Sequence, residues 1–225
     1  MTIQVVQHTS AEYLGLIEDH LEGRSIRFQY LRPFTGKVAL PKPASIDQGL
    51  ILLGGGPWGG NLPTLKEEIA LAASCLELGK PVLGIGLGAQ ILALAAGGTT
   101  QPTELEFSVG RAKRAGEKAL GGYLPAEYPL AIYMRGWPVP PPDARILAVD
   151  ESGRAALWQV GERALGFAGH PGLKVAMVED LIMEFEQVPG GIEGGLAQLR
   201  AVQRQIEDAL VPIMTGVVAM MRWMR

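Results

Sequence analysis

The stretch Pro81–Gly98, PVLGIGLGAQILALAAGG, constrains the possible folds of this chain more than any other. Pro81–Ile85 is too short an apolar run for a helix and stops at alternating glycines, while Ala89–Ala96 has the composition of a buried helix. A buried strand that enters a helix through a glycine turn is the unit of a parallel α/β sheet. Such a turn aims the helix N-terminus at whatever sits beyond the carboxyl end of the strand. At its sharpest point stands Gly86, a residue with no side chain.

The flanking sequence repeats the unit. Thr2–Thr9 and Ser25–Pro33 are strand-like, separated by a helical stripe through Tyr13, Leu16, Ile17 and Leu21. Gly49–Pro57, GLILLGGGP, is another apolar run stopped by glycines, as expected of a strand buried on both faces. Leu65, Ile69, Ala72 and Leu76 then form one helical stripe ending at Gly79. Alternating strands and helices with short connections predict a doubly wound sheet.

The second half reads differently. Pro129–Met134, Ala144–Asp150, Ala155–Val160 and Ala164–Gly169 are short strands, the last two joined as a hairpin through Val160–Arg163. Trp137–Pro142, WPVPPP, reads as a rigid loop. Val188–Gly195 reads as a linker before an amphipathic helix through Leu196, Leu199, Val202, Ile206 and Leu210, which Pro212 is expected to end or kink before a last helical piece to Arg225. The expected organisation is one domain over 1–225, an α/β core over 1–187 followed by a helical segment over 195–225.

Composition removes several classes of function. A hydrophobic content of 48% across 225 residues supports a sizeable core. A net charge of −3 with interspersed signs gives no support for nucleic-acid binding. No apolar run reaches membrane-spanning length and the N-terminus lacks a signal-peptide pattern, so no membrane association is expected. A single cysteine, Cys75, excludes an intramolecular disulfide, and together these features point to the cytoplasm. No metal ligands and no cofactor are assigned.

Ligands of open α/β sheets gather beyond the strand carboxyl ends, where Gly54–Gly60, the Gly86 turn and Gly169–Gly172 are expected to meet. Two readings of the turn follow. Gly84, Gly86 and Ala89 fit G-x-G-x-x-[G/A], a dinucleotide-binding pattern, with Glu104 or Glu106 near the spacing of a ribose contact. Alternatively the turn is a nucleophile elbow, with Gly86 at the nucleophile position, Gly54–Gly60 supplying an oxyanion donor and His170 the base. The second reading accounts for three segments and the first for one.

Set side by side, these motifs resemble the class I glutamine amidotransferase family. The family elbow G-[IV]-C-x-G-x-Q corresponds to GIGLGAQ, Gly84–Gln90, and its G-G-P oxyanion loop to Gly55-Gly56-Pro57. Its Q-x-H-P-E motif corresponds to AGHPG, Ala168–Gly172, and its W-H-G-D-like segment to MRGWPVPPPDARILA. The resemblance implies a single flavodoxin-like α/β domain with a mostly parallel sheet flanked by helices. It places the triad at Gly86 (nucleophile), His170 (base) and Gly172 (acid), and the family's elbow glutamine at Gln90. Ligand-binding positions are Gly55, Gly56, Leu87, Gln90 and Arg135, with the Gly56 and Leu87 amides as oxyanion donors. Arg135 stands where the family segment has histidine.

Glycine supplies neither thiolate nor carboxylate, so the nucleophile and the orienting acid are both missing. The resemblance therefore implies a member without glutaminase activity that keeps a pocket for a glutamine-like small molecule. A regulatory partner of a synthase is the alternative, as is an active amidotransferase or γ-glutamyl hydrolase with another nucleophile. Nucleotide binding at Gly84–Ala89 is a remoter one. His8, His20 and Cys75 carry no role in this reading, and Trp58 is expected to shield the pocket or cover the loop.

Overall fold

The strands with buried residues on both faces occupy the middle of the sheet. In the computed structural model, which describes residues 2–36 and 39–224, these are β3 (Gly49–Leu52), β4 (Val82–Ile85) and β9 (Ala164–Phe167), every residue of which is buried. With β1 (Ile3–Val6) and β2 (Phe28–Leu31) they form a parallel block, and β5 (Thr99–Arg114), β6 (Glu127–Val139), β7 (Arg145–Asp150) and β8 (Ala155–Val160) extend it antiparallel. The single sheet has nine strands in the order β2-β1-β3-β4-β9-β8-β7-β5-β6.

Helices flank the parallel block as expected. α1 (Leu16–Glu22) and α5 (Ile192–Met221) pack on one side, where Ile17 and Leu21 meet Ile3, Val5, Leu210 and Met214. α2 (Leu65–Glu77) and α3 (Leu87–Ala95) pack on the other, where Leu71, Cys75, Ile91 and Leu92 cover Leu50, Leu52 and Val82. α4 (Val175–Glu184) and the first half of α5 cover the β5–β6 hairpin through Met177, Leu181, Leu199, Phe107 and Tyr133. Among the described residues no helix is long and apolar enough to cross a membrane.

The hairpin through Val160–Arg163 is present, with Gln159 opposite Leu165 and Val160 opposite Ala164. Three expectations change. Thr99–Arg114, read from the sequence only for its acidic residues, is the longest strand: Leu105, Phe107 and Val109 alternate with Glu104, Glu106 and Ser108. Its partner β6 runs through the segment expected to be a rigid loop as far as Val139, with Pro138 opposite Thr100. β6 lies last in the sheet order, where a strand tolerates proline.

The third change concerns the C-terminal helix. It starts inside the expected linker, at Ile192, because Gly195 lets the helix press on Phe107, whose Cδ1 lies 2.6 Å from where a Cβ would stand. Pro212 does not end it. Ile206 and Leu210 before the proline, and Ile213, Met214 and Val217 after it, are all buried, so packing on both sides outweighs one missing backbone hydrogen bond.

The antiparallel half curls. The backbone N–H of His170, just past β9, donates to the carbonyl of Ala131 in the middle of β6 (3.0 Å). That contact draws β6, and with it Tyr133 and Arg135, over the carboxyl ends of the parallel strands.

Candidate functional site

The Gly86 turn has the backbone of an elbow. Gly86 lies at φ 57° and ψ −116°, between β4 and the first turn of α3. That region is sparsely populated for L-residues, so glycine relieves strain there. The turn has room for a side chain, since a Cβ on Gly86 would meet only the Cα of Gly54, at 3.4 Å. The neighbouring glycines serve packing. A methyl group on Gly88 would overlap the Leu52 carbonyl, and one on Gly84 the backbone of Gly88 and Ala89, so both are required for α3 to lie against β3 and β4.

Those contacts also consume the amides. Gly86 N–H donates to Phe167 O (2.9 Å), Gly88 N–H to Leu53 O (3.0 Å) and Ala89 N–H to Gly86 O (3.0 Å). Of this group only Leu87 N–H has no acceptor among the described residues. A pyrophosphate cradle needs several free amides. The residues paired with that reading lie elsewhere: Glu104 is exposed on β5 and pairs with Arg135 (3.4 Å), and Glu106 accepts from Ser108 (2.7 Å).

His170 is buried and both its ring nitrogens are engaged. Gly172 N–H donates to Nδ1 (3.1 Å), which must therefore be an acceptor, and Nε2 lies 2.9 Å from the Tyr13 carbonyl and donates to it. This is one neutral tautomer held by backbone. Burial lowers its pKa to about 4, against the opposing pull of the Tyr13 carbonyl. Gly172 lies against α1: its carbonyl accepts from Leu16 N–H (3.0 Å), and a Cβ on it would stand 3.1 Å from Ile17. The N-terminus of α1 thus occupies the surroundings of the triad-acid position.

The Gly54–Gly60 loop is packed under α4. Gly56 (φ 50°) lies beneath Leu181 and Phe185, and Trp58 meets the Phe185 ring edge-to-face at 6.1 Å, covering the loop. Gly55 presses on the Leu87 side chain. Gln90 is buried and its amide donates to the Arg135 carbonyl (2.9 Å). Arg135 lies across Gly59 and reaches the Pro57 carbonyl (3.3 Å), tying β6 to the loop. A cleft of about 460 Å³ opens beside this tie, lined by Gly60, Gln90, Thr103, Glu104, Arg135 and Gly136.

The structure brings a second charged group to the same place, which the sequence reading set aside. His8, two residues past β1, is buried with Nε2 2.7 Å from Glu68 Oε2 of α2 and Nδ1 3.0 Å from the Gly54 carbonyl. Both neighbours are acceptors, so the ring donates twice and carries a positive charge. Burial alone would lower its pKa, but the Glu68 hydrogen bond and charge, the Gly54 carbonyl and the Glu12 charge outweigh it and leave the pKa raised. Glu12 is also buried, and its Oε2 accepts from the Gly56 N–H. Burial raises its pKa to about 7, against the lowering effects of that hydrogen bond and of His8. The sequence signal for both was their place: His8-Thr9-Ser10-Ala11-Glu12 follows a central strand at its carboxyl end.

His20 lies apart on α1, 3.1 Å from Arg24. Cys75 is buried in α2, and burial raises its thiol to about 11, so it offers no thiolate. Among the described residues no group of three or more His, Cys, Asp or Glu is placed to hold a metal ion.

The sequence model of the class I glutamine amidotransferase family matches residues 16–128, half of the chain. A GMP synthase [glutamine-hydrolyzing] from Aeropyrum pernix is 30% identical over 162 residues, 68% of this chain. The chain spans only 30% of the length of that relative. Among solved structures, a glutamine amidotransferase from Methylobacillus flagellatus has a TM-score of 0.82 at 23% identity, covering 97% of this chain and 94% of the other. One from Thermotoga maritima has a TM-score of 0.81 at 20% identity, covering 98% of each. With the ordered elbow, G-G-P and H-P motifs on one flavodoxin-like sheet, the chain belongs to the class I glutamine amidotransferase family.

Proposed function

We propose that this chain is a class I glutamine amidotransferase-like protein that does not release ammonia from glutamine and serves as a non-catalytic partner of a synthase. The observation that carries the first part is the state of the triad positions. Gly86 offers no nucleophile, and His170 spends both ring nitrogens on backbone groups. Covalent catalysis at a carboxamide needs a nucleophile with an adjacent base free to take its proton. Neither is available, and Gly172 has no carboxylate with which to orient the ring.

The second part is supported by the packing of the loop and by the synthase among the relatives. Leu181, Phe185, Trp58 and Arg135 lie over Gly56–Gly59, so side chains of α4 and β6 cover much of the loop. One relative, 30% identical over 162 residues, is a GMP synthase [glutamine-hydrolyzing], and a domain without chemistry of its own retains a use as a subunit that engages a synthase.

A second reading, a pocket for a glutamine-like small molecule, is favoured by the free Leu87 N–H and by the cleft beside Gln90 and Arg135. Ammonia release and thermal unfolding with glutamine and glutamate separate the readings. The proposal predicts no ammonia above background and no stabilisation by either amino acid. Ammonia release by the wild-type chain overturns it. Stabilisation approaching about 2.7 kcal/mol at a hundredfold excess over Kd selects the small-molecule reading.

A further inference from the structure

We infer that the Glu12 side chain is an intramolecular ligand of the vestigial oxyanion turn, and that a small external carboxylate reaches the Gly56 amide only when Glu12 is removed or neutralised. The inference rests on the reading above, that the elbow is not a working nucleophile site. The Gly56 amide matches the donor that, by family resemblance, faces the substrate carbonyl oxygen. Here it donates instead to Glu12 Oε2. A glutamate side chain ends in the same three-atom group that hydrolysis of a glutamine side chain would leave, so the chain presents to its own turn a group of product type.

The surrounding structure holds that group in place. Glu12 N–H donates to Thr9 Oγ1 (3.0 Å), and the amides of Ser10 and Ala11 donate to the Glu184 carboxylate at the end of α4 (3.1 and 2.9 Å). The loop between β1 and α1 is thus tied at both its backbone and its side chain. Gly54 makes room, since a methyl group there would overlap the Glu12 carboxylate. Next to it Gly54 O binds His8, so one short loop orients both charges.

Charges face Glu12 from the end of β1 and from α4. His8 from the end of β1 favours the carboxylate, while Glu184 from α4 opposes it. From β6, the buried Tyr133 hydroxyl has no hydrogen-bond partner among the described residues, and burial and the Glu12 charge together raise its pKa to about 12. An unpartnered hydroxyl beside a buried carboxylate is a ready second contact for whatever replaces Glu12. Behind His8, Glu68 of α2 supplies the balancing negative charge.

The test follows the Gly56 amide by ¹H–¹⁵N NMR in the full chain, with acetate as probe. In the wild type the amide proton lies far downfield, moves upfield as pH falls below neutrality, and above neutrality is unmoved by acetate. In Glu12→Gln it lies upfield and loses that pH dependence. In Glu12→Ala, acetate returns it downfield and binds at least roughly tenfold more tightly than to the wild type. A Gly56 amide identical in wild type and Glu12→Gln overturns the inference, as does equal acetate binding in wild type and Glu12→Ala. If Glu12→Ala does not fold, the wild-type titration against Glu12→Gln decides alone. Ammonia release by the wild type would overturn the proposed function without altering these readouts.

Discussion

Two histidines lie buried past the carboxyl ends of parallel strands, and their chemistry is opposite. His170, after β9, faces a backbone donor and a backbone acceptor, which fixes it as a neutral ring. His8, after β1, faces a carboxylate and a carbonyl, which fixes it as a cation. The first sits in the H-P motif and has the hydrogen bonding of a structural residue. The second sits in no motif used to recognise the family and holds the buried charge. Histidine in a motif predicts a position in the fold; only its two hydrogen-bond partners say whether it titrates.

The sharpest way to break this comparison is to remove a partner on each side. Glu68→Ala leaves the His8 charge buried and unpaired, and we expect a loss of about 3–5 kcal/mol in chemical unfolding. His170→Gln removes hydrogen bonds to neutral backbone groups, and we expect about 1–2 kcal/mol. Equal losses would mean that the His8–Glu68 pair is not charged.

Acid sensitivity comes next, and its sign differs between the two rings. The pKa of His170 is lower in the folded protein than its ordinary 6.5, near 4. The folded state therefore refuses a proton that the unfolded chain accepts. The stability involved is complete above about pH 6.5 and is lost as pH falls toward 4, by on the order of 3 kcal/mol. His8 is raised, so its contribution is complete below pH 6.5 and is lost as pH rises through its folded value. Unfolding of wild type and His170→Gln across pH 4.5–8 checks this: the wild-type advantage should shrink as pH falls and reverse sign before pH 4.5.

At the elbow, Gly86→Cys places a side chain where space exists but the backbone angle is unfavourable. We expect a loss of about 1–3 kcal/mol, a fall of several degrees in Tm, and no ammonia from glutamine, because His170 is not free to act as its base. Glutaminase activity in that single variant would contradict the account of His170. The smallest effect is expected for Arg135→Ala. Its partner Glu104 is exposed, so stability should change by less than about 1 kcal/mol.

The parts of the fold legible in the sequence were those whose pattern is local. GLIL, VLGI and the Gly84–Gly88 turn are apolar runs and close-packing glycines, a pattern local enough to mark central strands and a tight turn into a helix. The long strand β5 was hidden because Thr99–Pro102 looks like a loop and because its charged residues alternate with core ones, a two-residue period overlooked beside them. Local propensity allows Pro212 to end the helix, and the buried face that spans it carries the helix through.

At the site, motif order names Gly86, Gly56, His170 and Gly172 as candidate positions. It does not name the pairing of His8 with Glu68, or of Glu12 with Gly56. Each joins residues more than forty positions apart, and nothing in the spacing of those residues marks the contact. Only the tertiary fold, which brings the β1–α1 loop against the oxyanion turn, makes that cluster.

The most direct test of the central contrast is a pH titration of the two imidazoles by ¹H–¹⁵N NMR. The account predicts that His170 remains a single neutral Nε2–H tautomer until pH approaches about 4, while His8 keeps its second proton above pH 6.5. A His170 ring that titrates near 6.5 and exchanges between tautomers would contradict it, since such a ring would be free to serve as a base.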